Sequence, residues 1–528
     1  MERLLLLRDE AFAQGAIDAG ISGAYGYPGT PSTEILLYFQ KNREAIEKDI
    51  HRVWSCNEKT AMESALGMSY AGKRAIATMK HVGLNVAADA FMNSALTGAN
   101  GGLLVVVADD PSMHSSQGEQ DSRFYAKYAF LPALEPSNQQ EAYDMAFYGF
   151  DQSEKFELPF MVRFVTRLSH SRAGIERKKQ IPENKLSIAK SDMRFILLPS
   201  VARKRYKELL KKQDDLVKAS EESPFNKYTD AKDKSMGIIA CGLAYNYLME
   251  IFPDECPFPV LKICQYPLPK KHIEKMFKEC QSVLVLEEGQ PIVEEMLRGY
   301  LDNGLPIKGR LNGYLPRDGE LNPNLVAIAL GHKEETYLSI PTNLVNRPPA
   351  LCVGCSHIDT YNALNVIIEK YGKGHVFSDI GCYTLGALPP YQAIDTCVDM
   401  GAAITMAKGA ADAGLFPSIA VIGDSTFTHS GITGLLDAVN ENTNMVVIIA
   451  DNETTAMTGG QESSGLGKLE EICKGLGVEP DHIRVCVPLK KNHDEMVKIF
   501  EEEIAYDGVS VIIPRRECVQ TLKRKNTK

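Results

Sequence analysis

The sequence predicts an α/β protein built from several parallel-sheet domains. Its 528 residues are enough for about three or four domains, each with its own core. Short apolar segments alternate with helical patterns over residues 1–175, which is typical of a parallel sheet flanked by helices. Residues 101–108 (GGLLVVVA) form one continuous apolar segment, as expected for a strand buried on both faces. We therefore expect residues 1–175 to form the first of these domains.

Two changes in composition divide the rest of the chain. Residues 176–235 are strongly charged, and we expect a charged linker with a solvated helix followed by a loose connector over residues 220–234. The alternation of apolar and helical segments resumes over residues 236–340. Residues 346–349 (NRPP) mark a second boundary, and residues 350–518 are expected to form the last α/β domain.

Composition and charge exclude several classes of protein. A net charge of -10 argues against a nucleic-acid-binding protein, which would need a basic patch. No apolar segment approaches the roughly 18 residues that span a bilayer, and the first residues lack the features of a signal peptide. We therefore expect a soluble cytoplasmic protein. The twelve cysteines are expected to be thiols, most of them small buried hydrophobic residues, rather than disulfides.

A β-α-β unit carries the clearest chemical pattern in the sequence. Residues 418–422 form an apolar strand, residues 431–441 have a helical pattern, and residues 445–450 form a second apolar strand. Polar residues follow both strands directly. If the strands are neighbours, these residues share the crevice at the carboxyl ends of the strands, where open α/β sheets bind ligands.

The polar residues at the two strand ends suit magnesium held between protein and phosphate. Asp424 can supply a carboxylate, Asn452 an amide oxygen and Thr454 a backbone carbonyl oxygen. Gly423 allows close approach of the backbone, and N–H groups at the following helix start, from Ser425 onward, can bind phosphate. The alternative is that these residues form simple turns at the ends of strands, as Asp, Asn and Gly often do.

The spacing resembles the thiamine diphosphate motif, in which Gly-Asp-x is followed about thirty residues later by Asn. The segment from Gly423 to Asn452 covers thirty residues. The usual motif has Gly in the third place and Asn-Asn at the end, whereas Ser425 and Asp451 stand here, as in the 2-oxoacid:ferredoxin oxidoreductases. Residues 458–461 (TGGQ) resemble the loop that closes over the cofactor in that group.

Four segments of the first domain resemble the large subunits of the indolepyruvate:ferredoxin oxidoreductases. They are residues 27–32 (YPGTPS), 57–67 (NEKTAMESALG), 79–85 (MKHVGLN) and 108–117 (ADDPSMHSSQ). The resemblance spans nearly the whole chain and implies a multi-domain thiamine diphosphate fold. In that fold, two doubly wound parallel-sheet domains bind the pyrimidine (1–175) and diphosphate (350–518) ends of the cofactor. A transketolase carboxyl-terminal-like domain (236–340) intervenes.

The resemblance also implies roles for individual residues of this domain. Glu58 matches the glutamate that activates the cofactor through its aminopyrimidine ring, while its rival Glu63 is expected to be a surface charge. Thr30 matches a position that contacts the 2-oxoacid in related enzymes, the alternative being a helix cap. His81 and Asn85 are expected to lie in a loop that faces the cofactor and to assist proton transfer or bind substrate, with a purely structural role as the alternative.

Four cysteines follow the order that holds a [4Fe–4S] cluster in the pyruvate:ferredoxin oxidoreductases. Cys352 and Cys355 form a C-x-x-C pair, Cys382 follows, and Cys518 lies late in the chain. Four thiolates are the usual ligands of such a cluster, and unpaired thiols or a zinc site are the alternatives. The C-x2-C-x2-C-x3-C-P run of a ferredoxin-like domain does not occur in this sequence. We expect those further clusters on another polypeptide, or their loss.

The activity implied by the resemblance is oxidative decarboxylation of an aryl 2-oxoacid to its acyl-CoA, with ferredoxin as electron acceptor. Thiamine diphosphate, Mg²⁺ and a [4Fe–4S] cluster are the expected cofactors. Coenzyme A and a smaller beta subunit are expected partners, in a hetero-oligomer built on a dimer of this chain. Arg123 and Arg167 are candidates for binding the substrate carboxylate. Two alternatives remain: a non-oxidative 2-oxoacid decarboxylase and a non-catalytic thiamine-binding assembly subunit.

Overall fold

The computed structural model describes residues 3–187, 194–195, 199–299, 306–310, 312–316, 319–332, 343–345, 349–395, 400–412 and 415–526. They belong to two compact units, Met1–Leu338 and Ser339–Lys528. Predominantly parallel sheets lie at the centre of each unit, so the predicted α/β class is confirmed. Of the boundary expected at residues 346–349, positions 346–348 lie outside the described residues.

The described residues of the first unit form fourteen strands and thirteen helices. The strands are β1 (Arg3–Leu7), β2 (Gly23–Gly26), β3 (His51–Trp54), β4 (Ala75–Lys80), β5 (Leu103–Asp109), β6 (Ala133–Leu134), β7 (Phe160–Val165), β8 (Arg172–Glu176), β9 (Lys227–Thr229), β10 (Gly237–Cys241), β11 (Val260–Ile263), β12 (Gln265–Tyr266), β13 (Val283–Leu286) and β14 (Ile307–Lys308). The helices are α1 (Arg8–Asp18), α2 (Thr33–Lys41), α3 (Arg43–Glu47), α4 (Glu58–Tyr70), α5 (His81–Thr97), α6 (Arg123–Ala129), α7 (Gln139–Phe156), α8 (Thr166–Ser169), α9 (Pro199–Glu221), α10 (Ala244–Ile251), α11 (Lys270–Glu279), α12 (Ile292–Arg298) and α13 (Pro323–Ala329).

A seven-stranded sheet organises the first part of this unit, in the order β12-β6-β7-β5-β4-β2-β3. Its strands are parallel except for β12, which pairs antiparallel with β6. Every residue of β4 and β5 is buried, as expected for central strands covered on both faces, and β5 corresponds to the predicted apolar strand. The residues that follow β4 and β5 therefore lie at the same edge of the sheet.

A second sheet of the first unit has the strand order β14-β13-β10-β11-β9. The prediction of a loose connector over residues 220–234 is wrong, because β9 pairs antiparallel with β11 inside this sheet. The preceding helix α9 is only partly solvated. Its residues Leu209, Leu216 and Ala219 are buried, since their spacing places them on one face of the helix.

The described residues of the second unit form a single five-stranded parallel sheet, a small hairpin and seven helices. The strands are β15 (Val376–Ser378), β16 (Ile419–Gly423), β17 (Met445–Ala450), β18 (Thr454–Thr455), β19 (Gln461–Glu462), β20 (Ile483–Cys486) and β21 (Val509–Pro514). The helices are α14 (Ser356–Tyr371), α15 (Ala402–Asp412), α16 (Asp424–Thr426), α17 (Ile432–Asn440), α18 (Leu469–Gly475), α19 (His493–Ile504) and α20 (Val519–Asn526).

Helices cover both faces of this parallel sheet, whose order is β15-β16-β17-β21-β20. Val421 of β16 packs in one core with α14 and α19, and Ile422 packs in the other core with α15 and α17. Successive strand residues thus enter opposite cores, as in a doubly wound sheet. The predicted β-α-β unit is confirmed as β16, α17 and β17. None of the helices that the structure describes is long and apolar enough to cross a membrane.

Candidate active site

Asp424 lies at the carboxyl end of β16 in the second unit. Gly423 pairs in register with Ala450, so Asp424 and Asp451 follow neighbouring strands at the same edge of the sheet. The Asp424 side chain is buried, and its Oδ2 has no hydrogen-bond partner. Burial raises the pKa of this carboxyl to about 7, and the charge of Asp451 acts in the same direction. A buried carboxylate oxygen without a donor suits a divalent cation.

Asn452 and Thr454 face the same edge from the end of β17. The Thr454 N–H donates to Asn452 Oδ1 at 3.2 Å, and Asn452 Nδ2 lies 3.4 Å from His357 Nε2. Burial lowers the pKa of His357 to about 4, so its neutral ring can accept the amide hydrogen. This contact orients the Asn452 side chain, and both residues are buried.

Gly423 and Ser425 occupy the turn that leads from β16 into the helical segment. A Cβ on Gly423 would lie 2.6 Å from Cε1 of Tyr383, so glycine is required for the packing of that ring. The Ser425 and Thr455 hydroxyl oxygens are 2.8 Å apart, which joins this turn to the hairpin of β18 and β19. Residues Phe427–Gly431 form a π-helical turn, a feature often found at functional sites.

The four predicted cysteines lie in one neighbourhood of the second unit. The Cys355 N–H donates to the Cys352 carbonyl at 3.0 Å, which closes the C-x-x-C turn. Burial raises the pKa of the Cys382 thiol to about 12, and Cys355, Cys518 and Cys352 contribute in the same direction. The Cys518 N–H donates to the Asn452 carbonyl at 3.1 Å. Among the described residues, however, no three His, Cys, Asp or Glu side chains are close enough to hold a metal ion together.

Glu58 begins helix α4 in the first unit. The Asn57 side chain accepts the Thr60 N–H, and this N-cap fixes the helix start. Glu58 is buried against the first turn of α5, where a Cβ on Gly83 would lie 2.4 Å from Glu58 Oε1. Glu63 instead pairs with Lys59 on the exposed face of α4, in agreement with the surface charge predicted for it.

His81 and Asn85 lie on the first two turns of α5, so the loop predicted for them is wrong. His81 is buried, its Nε2 is 3.1 Å from the Gly118 carbonyl oxygen, and its Nδ1 has no hydrogen-bond partner. A carbonyl oxygen can only accept, so Nε2 is the donor in this contact. Asn85 is exposed, and its amide is engaged by Gln120 at 3.0 Å and by the Tyr125 hydroxyl.

Thr30 lies on the turn that precedes α2. The N-cap position of α2 is Ser32, so Thr30 is not a helix cap. The Thr30 carbonyl accepts the Ser115 hydroxyl at 3.3 Å, and Lys80 Nζ donates to the Ser115 carbonyl at 2.6 Å. No role was predicted for Lys80 from the sequence. A cation at the end of a fully buried strand was the signal that could have identified it.

Arg123 and Arg167, the two candidates for the substrate carboxylate, both pair with carboxylates of the chain itself. Arg123 is buried and pairs with Asp121 at 2.6 Å and Glu287 at 3.0 Å. Arg167 pairs with Glu320 at 3.0 Å, and its side chain is 43% exposed.

Two protein families match this chain. Residues 379–513 match the C-terminal TPP-binding domain of thiamine pyrophosphate enzymes. Residues 14–195 match the thiamine diphosphate-binding domain of pyruvate flavodoxin/ferredoxin oxidoreductases. The first match covers Asp424 and Asn452, and the second covers Glu58.

Curated proteins similar to this chain include several indolepyruvate oxidoreductase subunits IorA. The subunit of Archaeoglobus fulgidus is 41% identical over 98% of this chain and 86% of its own length. That of Pyrococcus abyssi is 37% identical over the same shares. Among solved structures, the 2-oxoglutarate:ferredoxin oxidoreductase from Magnetococcus marinus is 15% identical, with a TM-score of 0.51 over 62% of this chain and 65% of its own. That likeness supports the fold.

Proposed function

The chain belongs to the family of indolepyruvate oxidoreductase IorA subunits, and on that premise we propose that it oxidatively decarboxylates an aryl 2-oxoacid of the indolepyruvate type. The observation that carries the proposal is the buried, unpartnered Oδ2 of Asp424 beside Asn452. We infer that this pair binds the magnesium and diphosphate of the cofactor. Residues 1–175 and 350–518 are proposed as the pyrimidine and diphosphate domains, and residues 236–340 as the intervening domain.

The second unit is proposed to hold the diphosphate through Mg²⁺. Asp424, Asn452 and the Thr454 carbonyl would bind the metal, and the turn at Gly423 and Ser425 would receive the phosphates. This assignment is supported by the buried Asp424 Oδ2, because a bound cation would be the partner that this oxygen lacks.

The first unit is proposed to activate the cofactor and to bind the substrate. When bound, thiamine diphosphate supplies a carbon nucleophile and an electron sink for loss of carbon dioxide. Glu58 would donate or accept the hydrogen bond that tunes the aminopyrimidine ring. His81 would exchange a proton at its unpartnered Nδ1. Thr30 and Asn85 would contact the substrate.

Cys352, Cys355, Cys382 and Cys518 are proposed to hold a [4Fe–4S] cluster that passes single electrons to ferredoxin. Their common neighbourhood supports this. Burial raises the thiol pKa of Cys355 and Cys382, and binding of iron would displace these protons. The acyl group would pass to coenzyme A. We infer a smaller beta subunit as partner, in a hetero-oligomer built on a dimer of this chain.

The proposal is tested on the complex purified anaerobically with its beta subunit. Wild-type enzyme should reduce a viologen dye with indolepyruvate only when thiamine diphosphate, Mg²⁺ and coenzyme A are present. Asp424→Asn should lose magnesium-dependent thiamine binding in calorimetry. Glu58→Gln should keep that binding but lose turnover by about 10²-fold or more. Carbon dioxide release without dye reduction would instead establish a non-oxidative decarboxylase.

Iron analysis tests the cluster separately. About four irons per chain are expected for one cluster with four thiolate ligands, and Cys352→Ser or Cys518→Ser should lower this content. Cys473→Ser is the control, because this buried thiol packs in the core of the second unit. Absence of iron after reconstitution would refute the cluster assignment.

A further inference from the structure

Lys80 is a buried lysine without a carboxylate partner. Three lysines are buried to the same extent, each 8% exposed: Lys80, Lys262 and Lys408. Lys262 forms an ion pair with Glu141, and Lys408 forms one with Glu441 at 2.6 Å. Lys80 Nζ instead donates to the Ser115 carbonyl at 2.6 Å and reaches the Ser115 hydroxyl at 3.4 Å. Within the part of the chain that the structure describes, Lys80 forms no ion pair.

Lys80 lies beside the residues of the first unit that are proposed to bind the substrate. Lys80 ends β4, and the next residue, His81, begins α5. A Cβ on Gly29 would lie 3.1 Å from Lys80 Cβ, so the lysine stem packs against the turn that carries Thr30. Ser115 contacts both the ammonium and the Thr30 carbonyl. The ammonium therefore lies among the residues proposed to bind substrate.

The charged groups around Lys80 are already engaged by other donors. Asp110, beyond β5, accepts hydrogen bonds from the Ser115 N–H at 2.8 Å and from the Ser116 and Thr166 hydroxyls, both at 2.6 Å. Asp109 pairs with Arg163 at 2.6 Å. His81 is the next residue along the chain, and Glu58 on α4 lies against Gly83, one turn into α5. Burial lowers the pKa of Lys80 to about 8, and Asp110 opposes this shift.

We propose that Lys80 binds the carboxylate of the 2-oxoacid substrate. This inference rests on the function proposed above. A buried cation is costly unless it is paired, and a substrate carboxylate would supply the missing negative charge. The two arginines first considered for this role pair with Asp121, Glu287 and Glu320. Since the carboxylate leaves as neutral carbon dioxide, the ion pair stabilises the bound substrate more than the transition state.

The experiment compares Lys80→Met and Lys80→Arg with the matched control Lys262→Met. Calorimetry on the thiamine-loaded complex measures binding of indole-3-propanoate, which keeps ring and carboxylate but has no keto group. Indole-3-propanamide is the neutral probe. Lys80→Met should weaken propanoate binding about 30-fold, corresponding to about 2 kcal/mol, and leave propanamide binding unchanged. Lys80→Arg should retain most of the propanoate affinity.

Turnover provides the second readout. Lys80→Met should raise KM for indolepyruvate by a factor similar to that in calorimetry, with kcat changed less than KM. Lys262→Met should keep the wild-type KM even if its stability falls. Equal propanoate binding in wild type and Lys80→Met, or equal loss of both probes, would overturn the assignment. Failure of the proposed function looks different, because wild-type enzyme would then reduce no dye with any aryl 2-oxoacid.

Discussion

Gly83 determines how closely the Glu58 carboxylate can approach helix α5. A Cβ at this position would lie 2.4 Å from Oε1 and 2.6 Å from Cγ of Glu58. Gly83→Ala should therefore displace the carboxylate and lower kcat at least tenfold, a loss of about 1.4 kcal/mol in transition-state stabilisation. Steady-state kinetics and thiamine titration measure this. Gly67→Ala on the same pair of helices is the control, since no atom lies within 4 Å of its Cβ. It should leave kcat unchanged.

Lys80 should also give substrate binding a recognisable pH dependence. Its pKa of about 8 means that the ammonium loses its proton as pH rises through this value. The Kd for indole-3-propanoate should then be constant below about pH 8 and rise above it. Lys80→Arg should remove this rise, because a guanidinium stays protonated. Calorimetry between pH 6.5 and about 9.5 tests this, and a rise that persists in Lys80→Arg would assign it to another group.

The pH dependence of the unfolding free energy should also reflect the titration of Lys80, and its sign can be predicted. The folded-state pKa of Lys80 lies below that of an unfolded lysine, about 10.4. Between the two values the unfolded chain binds more protons, so this residue makes folding more favourable as pH rises from about 8. The difference in unfolding free energy between wild type and Lys80→Met should change in that window and be constant below it. Denaturant titrations at several pH values measure this difference.

Individual residues also mark the limit of what the sequence could predict. Asp424, Asn452 and Glu58 lie where the spacing and the resemblance placed them, at strand ends and at a helix start. The sequence could not show that Arg123 has carboxylate partners in the chain and that Lys80 has a different environment. The Arg123–Glu287 pair arises from a contact between distant segments, and a sequence pattern does not reveal which cations have found a carboxylate.

Helix α20 contacts both the hairpin of β18 and β19 and the C-x-x-C turn in the second unit. Arg524 Nη1 donates to the Gly459 carbonyl at 2.6 Å, and Gln520 Nε2 donates to Cys352 Sγ at 3.2 Å. Arg524→Ala should free the tip of the hairpin between β18 and β19. We expect faster hydrogen exchange over residues 456–461 and thiamine binding weakened several-fold, consistent with loss of a charged hydrogen bond.

The matched control for Arg524 is Lys498→Ala on α19, whose ion pair with Glu502 is exposed. This substitution should change neither exchange at the hairpin nor cofactor affinity. Unchanged exchange in Arg524→Ala would mean that the hairpin is held by its own contacts, such as the hydrogen bond from Thr454 to the Gln461 carbonyl.

At the level of elements, the long and regular segments were predicted and the short ones were not. The apolar strands β5, β16 and β17 could be predicted because a strand buried on both faces is continuously apolar in sequence. Strand β9 has only three residues, and it exists through its pairing with β11. The charged surface of α9 likewise obscured the apolar face that packs on the core.

A buried network of charges joins the two large sheets within the first unit. Arg163 of β7 pairs with Asp109 at 2.6 Å, Glu135 at 2.5 Å and Asp121 at 3.3 Å. Its Nη2 also donates to the carbonyl of Glu288, which follows β13. Arg163→Met would leave three acidic side chains buried without this partner. We expect it to destabilise the unit by about 3–5 kcal/mol, measured by denaturant unfolding.

Arg43→Met is the contrasting substitution, because Arg43 is 90% exposed and pairs only with Glu47 on the same helix. It should change the unfolding free energy by less than about 1 kcal/mol. Similar losses from both substitutions would show that the buried network adds nothing beyond a surface pair. For the whole molecule, the α/β class could be predicted from alternation alone, whereas this network depends on the packing of one sheet against the other.

The hydrogen bond from the Cys518 N–H to the Asn452 carbonyl places a proposed iron ligand and a proposed magnesium ligand on adjoining backbone. Binding energies at coupled sites are reciprocal, so any factor by which a filled cluster tightens the cofactor is also the factor by which the cofactor tightens the cluster. If a filled cluster tightens thiamine diphosphate binding, loss of iron from the cysteines weakens the cofactor, and loss of the cofactor weakens the cluster by the same factor.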